Sequence, residues 1–432
     1  MNALIYTLGV VAFVIGVVLS IALHELGHMY PAKKFGIKVT QFFVGFGNTV
    51  WSTKRGETEY GFKSIPLGGY VKLVGMLPPA KDADPHEVRK TNTGLFTQLV
   101  SDARNAEYEH VNDEDLDRLF YRKPWWQKLI VMAGGPTVNI LIAVFLFSVV
   151  FMGFGAMKAT TTVQTVSDCA ITDAEAGRAC KADDPITPAR QAGIETGDRI
   201  VSFNGTKITE WDQLTKLIRA NGDRQATIKL ERNDKIRSVT VDTSVLARLD
   251  VNDPTKTVNV GFLGVSPTES MQRQGPLYVA DVMGDYVQAT AKAIWHLPSR
   301  MVGVTKALFG GERDPEGPIS VVGASRVAGE LVTVDDPTWA ERTQRVLVLI
   351  AGLNMFLALF NFIPLLPLDG GHIAGALWEA IRRPFARLRG RPDPGYVDVA
   401  KMLPVAYGVG LLLMLMSVIL ILADFINPVS IS

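Results

Sequence analysis

The chain has 432 residues, 47% of them apolar, and its 44 Lys and Arg against 43 Asp and Glu leave a formal charge of +1. A near-neutral balance gives no argument for a nucleic-acid partner. The mean hydropathy of +0.18 comes from four apolar runs, at 3–23, 129–157, 346–366 and 403–423, so the expected class is an α-helical membrane protein with four spans and sizeable loops.

The first span is expected over 1–30. Its run from Ala3 to Leu23 is uncharged and leads into His24-Glu25-Leu26-Gly27-His28. If the helix continues, His24 and His28 stand one turn apart on one face, where both imidazoles can bind one Zn²⁺ while Glu25 reaches a metal-bound water. HExxH also arises by chance, but ionisable residues attached to a membrane span are costly and are usually kept for function. The run lacks a basic flank and carries the motif at its end, so it reads as a retained span rather than a removed signal peptide.

A loop is expected over 31–127. Within it, 37–74 reads as short strands broken by Asn48, Gly56, Pro66 and the Gly68-Gly69 pair, and 76–117 as a polar, partly flexible insertion. Arg118 to Trp126 mixes aromatic and basic residues in the manner of an interfacial anchor before the second span, 128–157.

The region after that span holds a stretch from Pro188 to Gly205 that resembles a PDZ domain, with a short helix, a Gly-Asp turn, an apolar strand and an Asn-Gly hairpin turn. One such α+β domain is expected over 162–243, and PDZ folds bind extended peptide tails by adding a strand. Cys169 and Cys180, the two cysteines, fit either a disulfide or two free thiols. A linker with an amphipathic helix from Tyr278 to about Leu308 is expected over 244–340, the third span over 341–372, a basic loop over 373–402 and the last span over 403–425.

Basic residues cluster beside the first loop (Lys33, Lys34, Lys38, Arg118, Arg122, Lys123, Lys128) and the last (Arg382, Arg383, Arg387, Arg389, Arg391, Lys401). These mark the cytoplasmic side, which puts both termini and the PDZ-like stretch outside. His24 and His28 then lie at the cytoplasmic end of span one, and span three descends to the same end with Asp369, a hard oxygen ligand suited to a two-His, one-carboxylate zinc site. His372, three residues further on, is a candidate fourth ligand that would close the site.

The chain resembles the site-2 protease family of intramembrane zinc metalloproteases, of the bacterial RseP-like type. The resemblance is carried by HELGH at 24–28 and by Asn361-Phe362-Ile363-Pro364 with Leu368-Asp369-Gly370. It implies His24, His28 and Asp369 as zinc ligands, Glu25 as acid/base and Asn361 as a substrate-holding group. Gly135-Pro136-Thr137-Val138-Asn139 is similar to a family segment, which makes Asn139 a candidate substrate-binding residue. Ile65 to Lys72 resembles a re-entrant, membrane-associated β element, which brings in Gly68 and Gly69. Some relatives carry two PDZ domains, whereas this chain has sequence for one. The implied activity is hydrolysis within transmembrane segments of single-span bacterial inner-membrane proteins already trimmed outside, such as anti-sigma factors in stress responses or remnant signal peptides. Two alternatives remain: a zinc endopeptidase acting on juxtamembrane segments, and a membrane PDZ scaffold with structural zinc.

Overall fold

The structure, a computed structural model, describes residues 2–79, 100–104, 111, 113–172, 178–249, 256–335 and 337–429. Most of the polar insertion expected over 76–117 lies outside the described residues. In chain order the elements are helix α1 (Asn2–Lys34), strands β1 (Val39–Arg55) and β2 (Thr58–Leu73), α2 (Trp125–Ser148), β3 (Ala156–Val166), α3 (Pro188–Gln191), β4 (Arg199–Phe203), β5 (Thr206–Lys207) and α4 (Trp211–Asn221). They continue with β6 (Gln225–Arg232), β7 (Lys235–Asp242), β8 (Ser244–Leu249), β9 (Thr257–Phe262), β10 (Val265–Gln272), α5 (Pro276–Trp295), α6 (Leu297–Leu308), α7 (Val321–Leu331), α8 (Trp339–Asn361), α9 (Asp369–Leu388) and α10 (Leu403–Ile426). Two compact units result: 1–153 with 275–432, and 154–274.

Among the described residues, four helical stretches are long and apolar enough to cross a membrane: Ala3–Lys34, Trp125–Phe154, Trp339–Asn361 and Val399–Ile426. Their outward Leu, Ile, Val and Phe side chains remain exposed, as expected where the neighbour is lipid. Inward, Ile5, Phe13 and Val17 of α1 pack with Val332 beyond α7 and with Val346 and Ile350 of α8. Phe147 of α2 packs with Val279 of α5 and Met355 of α8. The helix α8 starts on a capping box in which the Thr338 hydroxyl accepts from the Glu341 amide and the Glu341 carboxylate accepts from the Thr338 amide.

Three departures from the sequence reading have local causes. The region 37–74 is not a set of short strands but two long, bent ones, because repeated register shifts absorb the irregular residues as bulges. The first half of β1 is flanked on both sides by β2: Phe43 faces Tyr70 in one row and Gly61 in the other. The amphipathic helix expected from Tyr278 to Leu308 is two helices, α5 and α6, because Pro298 in the first turn of α6 cannot continue the helix before it. In turn, the third span breaks at its prolines as expected, but the basic loop expected after it is in large part helix. Helix α8 ends at Asn361 ahead of Pro364, and α9 begins at Asp369 and runs through much of the expected 373–402 loop with Pro384 inside it. Packing against α2 supports α9, whose buried residues Gly370, Ala376 and Glu379 all precede the exposed Pro384.

The second unit is built on an antiparallel sheet of order β10-β3-β4-β6-β7, with β5 on β4, and β8 pairs with β9 beside it. Ile200, Phe203, Leu214, Ile228, Leu230 and Leu263 are buried in its core. Asp198 is buried and takes a two-pronged contact from Arg232, at 2.6 Å to Nε and 2.7 Å to Nη2. Cys169 and Cys180 are joined in a disulfide.

Candidate metal centre

The first helix does continue through the motif, so His24 and His28 project from successive turns of α1. His28 Nδ1 lies 2.8 Å from the Val131 carbonyl oxygen. A carbonyl can only accept, so this contact places the proton on Nδ1 and leaves the Nε2 lone pair free for a metal. His24 Nε2 is 3.2 Å from His28 Nε2, and Asp369 Oδ2 is 3.4 Å from the first and 3.3 Å from the second. Three ligand atoms about 2.0–2.1 Å from a tetrahedral ion are separated by about 3.3 Å, so the triangle has the dimensions that Zn²⁺ requires. Asp369 Oδ2 and His24 Nδ1 are buried without hydrogen-bond partners. Among the described residues this is the group of His, Cys, Asp and Glu close enough to share an ion, and His372 is not part of it. His372 instead sets its ring edge-on to Phe120, with centroids 6.5 Å apart.

The triangle opens into a cavity of about 520 Å³ whose lining includes Glu25, Gly68, Gly69, Asn139, Asn361 and Asp369. All the sequence-derived candidates thus meet in one place. Glu25 accepts a hydrogen bond from the Val71 amide of β2, which fixes that strand beside the carboxylate. The approach is close: a Cβ on Gly69 would stand 3.0 Å from Glu25 Cγ. Asn139 is fully buried, and neither its amide nitrogen nor its oxygen has a partner. An amide left orphaned inside a protein is costly unless something else completes it, and here it borders the cavity.

Other contributors were not among the candidate site residues, although Gly135 opens the segment that ends in Asn139. Gly135 of α2 presses against the imidazoles, and a Cβ there would come within 2.3 Å of His28 Nε2. One turn before His24, buried Ser20 accepts from Asn354 Nδ2 at 2.9 Å, which joins α1 to α8. Lys128 in the first turn of α2 donates to Glu379 of α9 at 2.7 Å, both side chains buried. A polar Asn inside a span and a Gly-Gly pair were visible signals, but the Val131 carbonyl had none, since every residue has one.

A polytopic membrane protein with a metal-capable His₂-carboxylate centre and an adjacent glutamate is built for metal-assisted hydrolysis. A model of the peptidase family M50 matches residues 12–402. The chain is 32% identical over 441 residues to the zinc metalloprotease Rip1 of Mycobacterium tuberculosis H37Rv, covering 99% of both chains. It is 32% identical over 444 residues to Rip1 of Mycolicibacterium smegmatis, covering 99% of this chain and all of the relative. Against the metalloprotease MmpA of Caulobacter vibrioides it is 27% identical over 380 residues, 86% of each chain. The chain belongs to peptidase family M50, the site-2 protease family. It is a membrane metalloprotease that uses Zn²⁺.

Proposed function

We propose that the protein hydrolyses peptide bonds within transmembrane segments, with Zn²⁺ held by His24, His28 and Asp369 and with Glu25 as the proton carrier. The observation that carries the reading is the ligand triangle opening into a cavity shared by Glu25 and the edge of β2, at the end of membrane-length helices. A bound Zn²⁺ supplies Lewis acidity, making water nucleophilic near neutral pH and polarising the scissile carbonyl. Glu25 takes the proton from the attacking water on a carboxylate oxygen and later gives it to the leaving amine nitrogen. The amides of Asn139 and Asn361 bind the substrate backbone and donate to the carbonyl oxygen as it becomes negative. The β2 edge at Gly68–Val71 holds the locally unwound substrate extended by main-chain hydrogen bonds.

The basic flanks support an orientation with both termini and the 154–274 unit outside and the metal centre toward the cytoplasm of a bacterial inner membrane. The sheet and helices around 162–243 support a PDZ-type module there, which admits substrates or recognises their tails after an earlier cut has removed the outer domain. Anti-sigma factors and remnant signal peptides are the substrate classes that fit.

The test is cleavage of a single-span substrate by purified protein in detergent. Untreated protein should cut within the span, whereas Glu25→Gln and chelator-treated protein should not. Cleavage by Glu25→Gln at the wild-type rate, or cuts confined to a soluble tail, would refute the proposal.

A further inference from the structure

The metal centre uses only the first residue of α9, yet that helix runs on to Leu388 and presents a second surface. One side lies against α2, where Glu379 accepts from Lys128, and Ala376 is buried as well. The opposite side is apolar and open: Trp378, Ile381, Phe385 and Leu388 are 56%, 61%, 52% and 86% exposed. Their spacing of three, four and three residues keeps all four on one helical face.

Arginines cluster in the outer half of α9 and in the turn after it. Arg382 is taken up by the carbonyls of Pro394, Gly395 and Tyr396, and Arg383 by Glu379. Arg387, Arg389 and Arg391 have no carboxylate partner among the described residues, and Arg389 lies over the Phe385 ring at 4.1 Å. An apolar face of this kind suits neither bulk water nor pure hydrocarbon once guanidinium groups stand beside it. It suits the boundary, where rings enter the acyl region and cations reach phosphates.

The depth of the helix agrees. The Lys128–Glu379 pair sets the middle of α9 level with the first turn of α2. That turn carries Trp125 and Trp126, both exposed, and aromatic belts of this kind form at the membrane–water interface. The open face of α9 therefore continues the lipid-facing surface of α2 outward into the headgroup layer.

We propose that the outward face of α9 is a docking surface for anionic phospholipid, with Trp378, Ile381, Phe385 and Leu388 in the acyl boundary and Arg387, Arg389 and Arg391 on headgroup phosphates. The proposal rests on the functional reading only for which leaflet supplies the lipid. Because Asp369 opens the same helix, the lipid grips the element that carries a candidate metal ligand.

The experiment uses the full chain in nanodiscs of phosphatidylcholine with phosphatidylglycerol. Spin-labelled phosphatidylglycerol and phosphatidylcholine are the probes, and paramagnetic resonance reads their relative retention. Wild type should prefer the anionic lipid. The Arg387→Gln/Arg389→Gln/Arg391→Gln variant should lose that preference by roughly fivefold or more, as expected from removing cations at a charged surface. The corresponding triple Lys variant should keep it, which separates lost charge from lost fold. A nitroxide on Phe385→Cys, placed without reducing the native disulfide, should be more accessible to oxygen than to a water-soluble nickel chelate. Equal lipid preference in wild type and the Gln variant would overturn the proposal. So would a label at 385 that favours the nickel chelate, as on a face that binds a soluble partner, or displacement of the lipid preference by inorganic phosphate. Cleavage is not read here, so a failed protease assay would leave this result standing, and the reverse.

Discussion

At the scale of single residues, one constraint on the metal centre falls on Gly135, which no catalytic role singles out. Its missing side chain leaves room for both imidazoles, and a methyl group would come within 2.3 Å of His28 Nε2. Gly135→Ala should therefore weaken zinc retention by about 10–100-fold, the usual scale when groups supporting a metal ligand are disturbed. Chelator competition on the folded protein reads this directly. Asn139 allows a sharper test of role. If its orphaned amide serves substrate, Asn139→Leu should lower kcat by roughly 10²–10³-fold. The same change removes a buried unsatisfied group and should leave thermal stability unchanged or raised. A packing asparagine would show the opposite, with stability lost and turnover kept. His24, Glu25, His28 and Asp369 were legible in the sequence because imidazole and carboxylate chemistry at that spacing is rare next to a span. The supporting contacts were not: Val131 acts through a carbonyl, and Gly135, though its segment stood out, acts through an absent side chain.

Among the elements, α9 depends on a buried charge pair. Removing one partner of such a pair strands the other away from water, and the cost is about 3–5 kcal/mol, more than the pair contributes over an apolar replacement. Glu379→Gln should thus destabilise the membrane unit by about 3 kcal/mol, measured by denaturation in detergent. Lys128→Met combined with Glu379→Leu should recover most of the loss, whereas additive losses would show that the pair is not coupled. The sequence revealed the spanning helices because a bilayer demands long uncharged runs. It gave a poorer view of α9, where Pro384 and five nearby arginines read as loop, and of the β1–β2 pair, where bulges looked like breaks. In both places tertiary support decided the outcome: α2 holds one element, and β1 is paired on both sides in the other.

For the molecule as a whole, the division into 1–153 with 275–432 and 154–274 puts the candidate metal ligands and the Asp198–Arg232 pair in different units with separate cores. The sequence marked 162–243 for the second of these, but the compact unit is wider, because β3 begins at Ala156 and β10 returns to pair with it. Gly261 to Val265 reads as a strand returning from the domain, but β3 belongs to no pattern that stands out, and the pairing joins residues about a hundred positions apart. Separate cores predict separate responses in calorimetry. A chelator should lower the transition of the membrane unit alone, by about 2.7 kcal/mol when free zinc had been at a hundred times its dissociation constant. Asp198→Asn should lower the other transition alone, by about 2 kcal/mol, the scale of a hydrogen bond to a charged group. That second effect has a defined pH dependence. Burial by itself would raise the Asp198 carboxyl, but Arg232 and the Glu195 amide outweigh it and hold the group below the usual carboxylate value. A depressed folded value stabilises fully above the free carboxyl's value of about 4 and ceases to do so as pH falls through the folded value. The gap between wild type and Asp198→Asn should therefore be constant near neutrality and close on acidification below about pH 4. A gap that persisted into strong acid would mean that Asp198 stabilises the unit by its shape rather than by its charge.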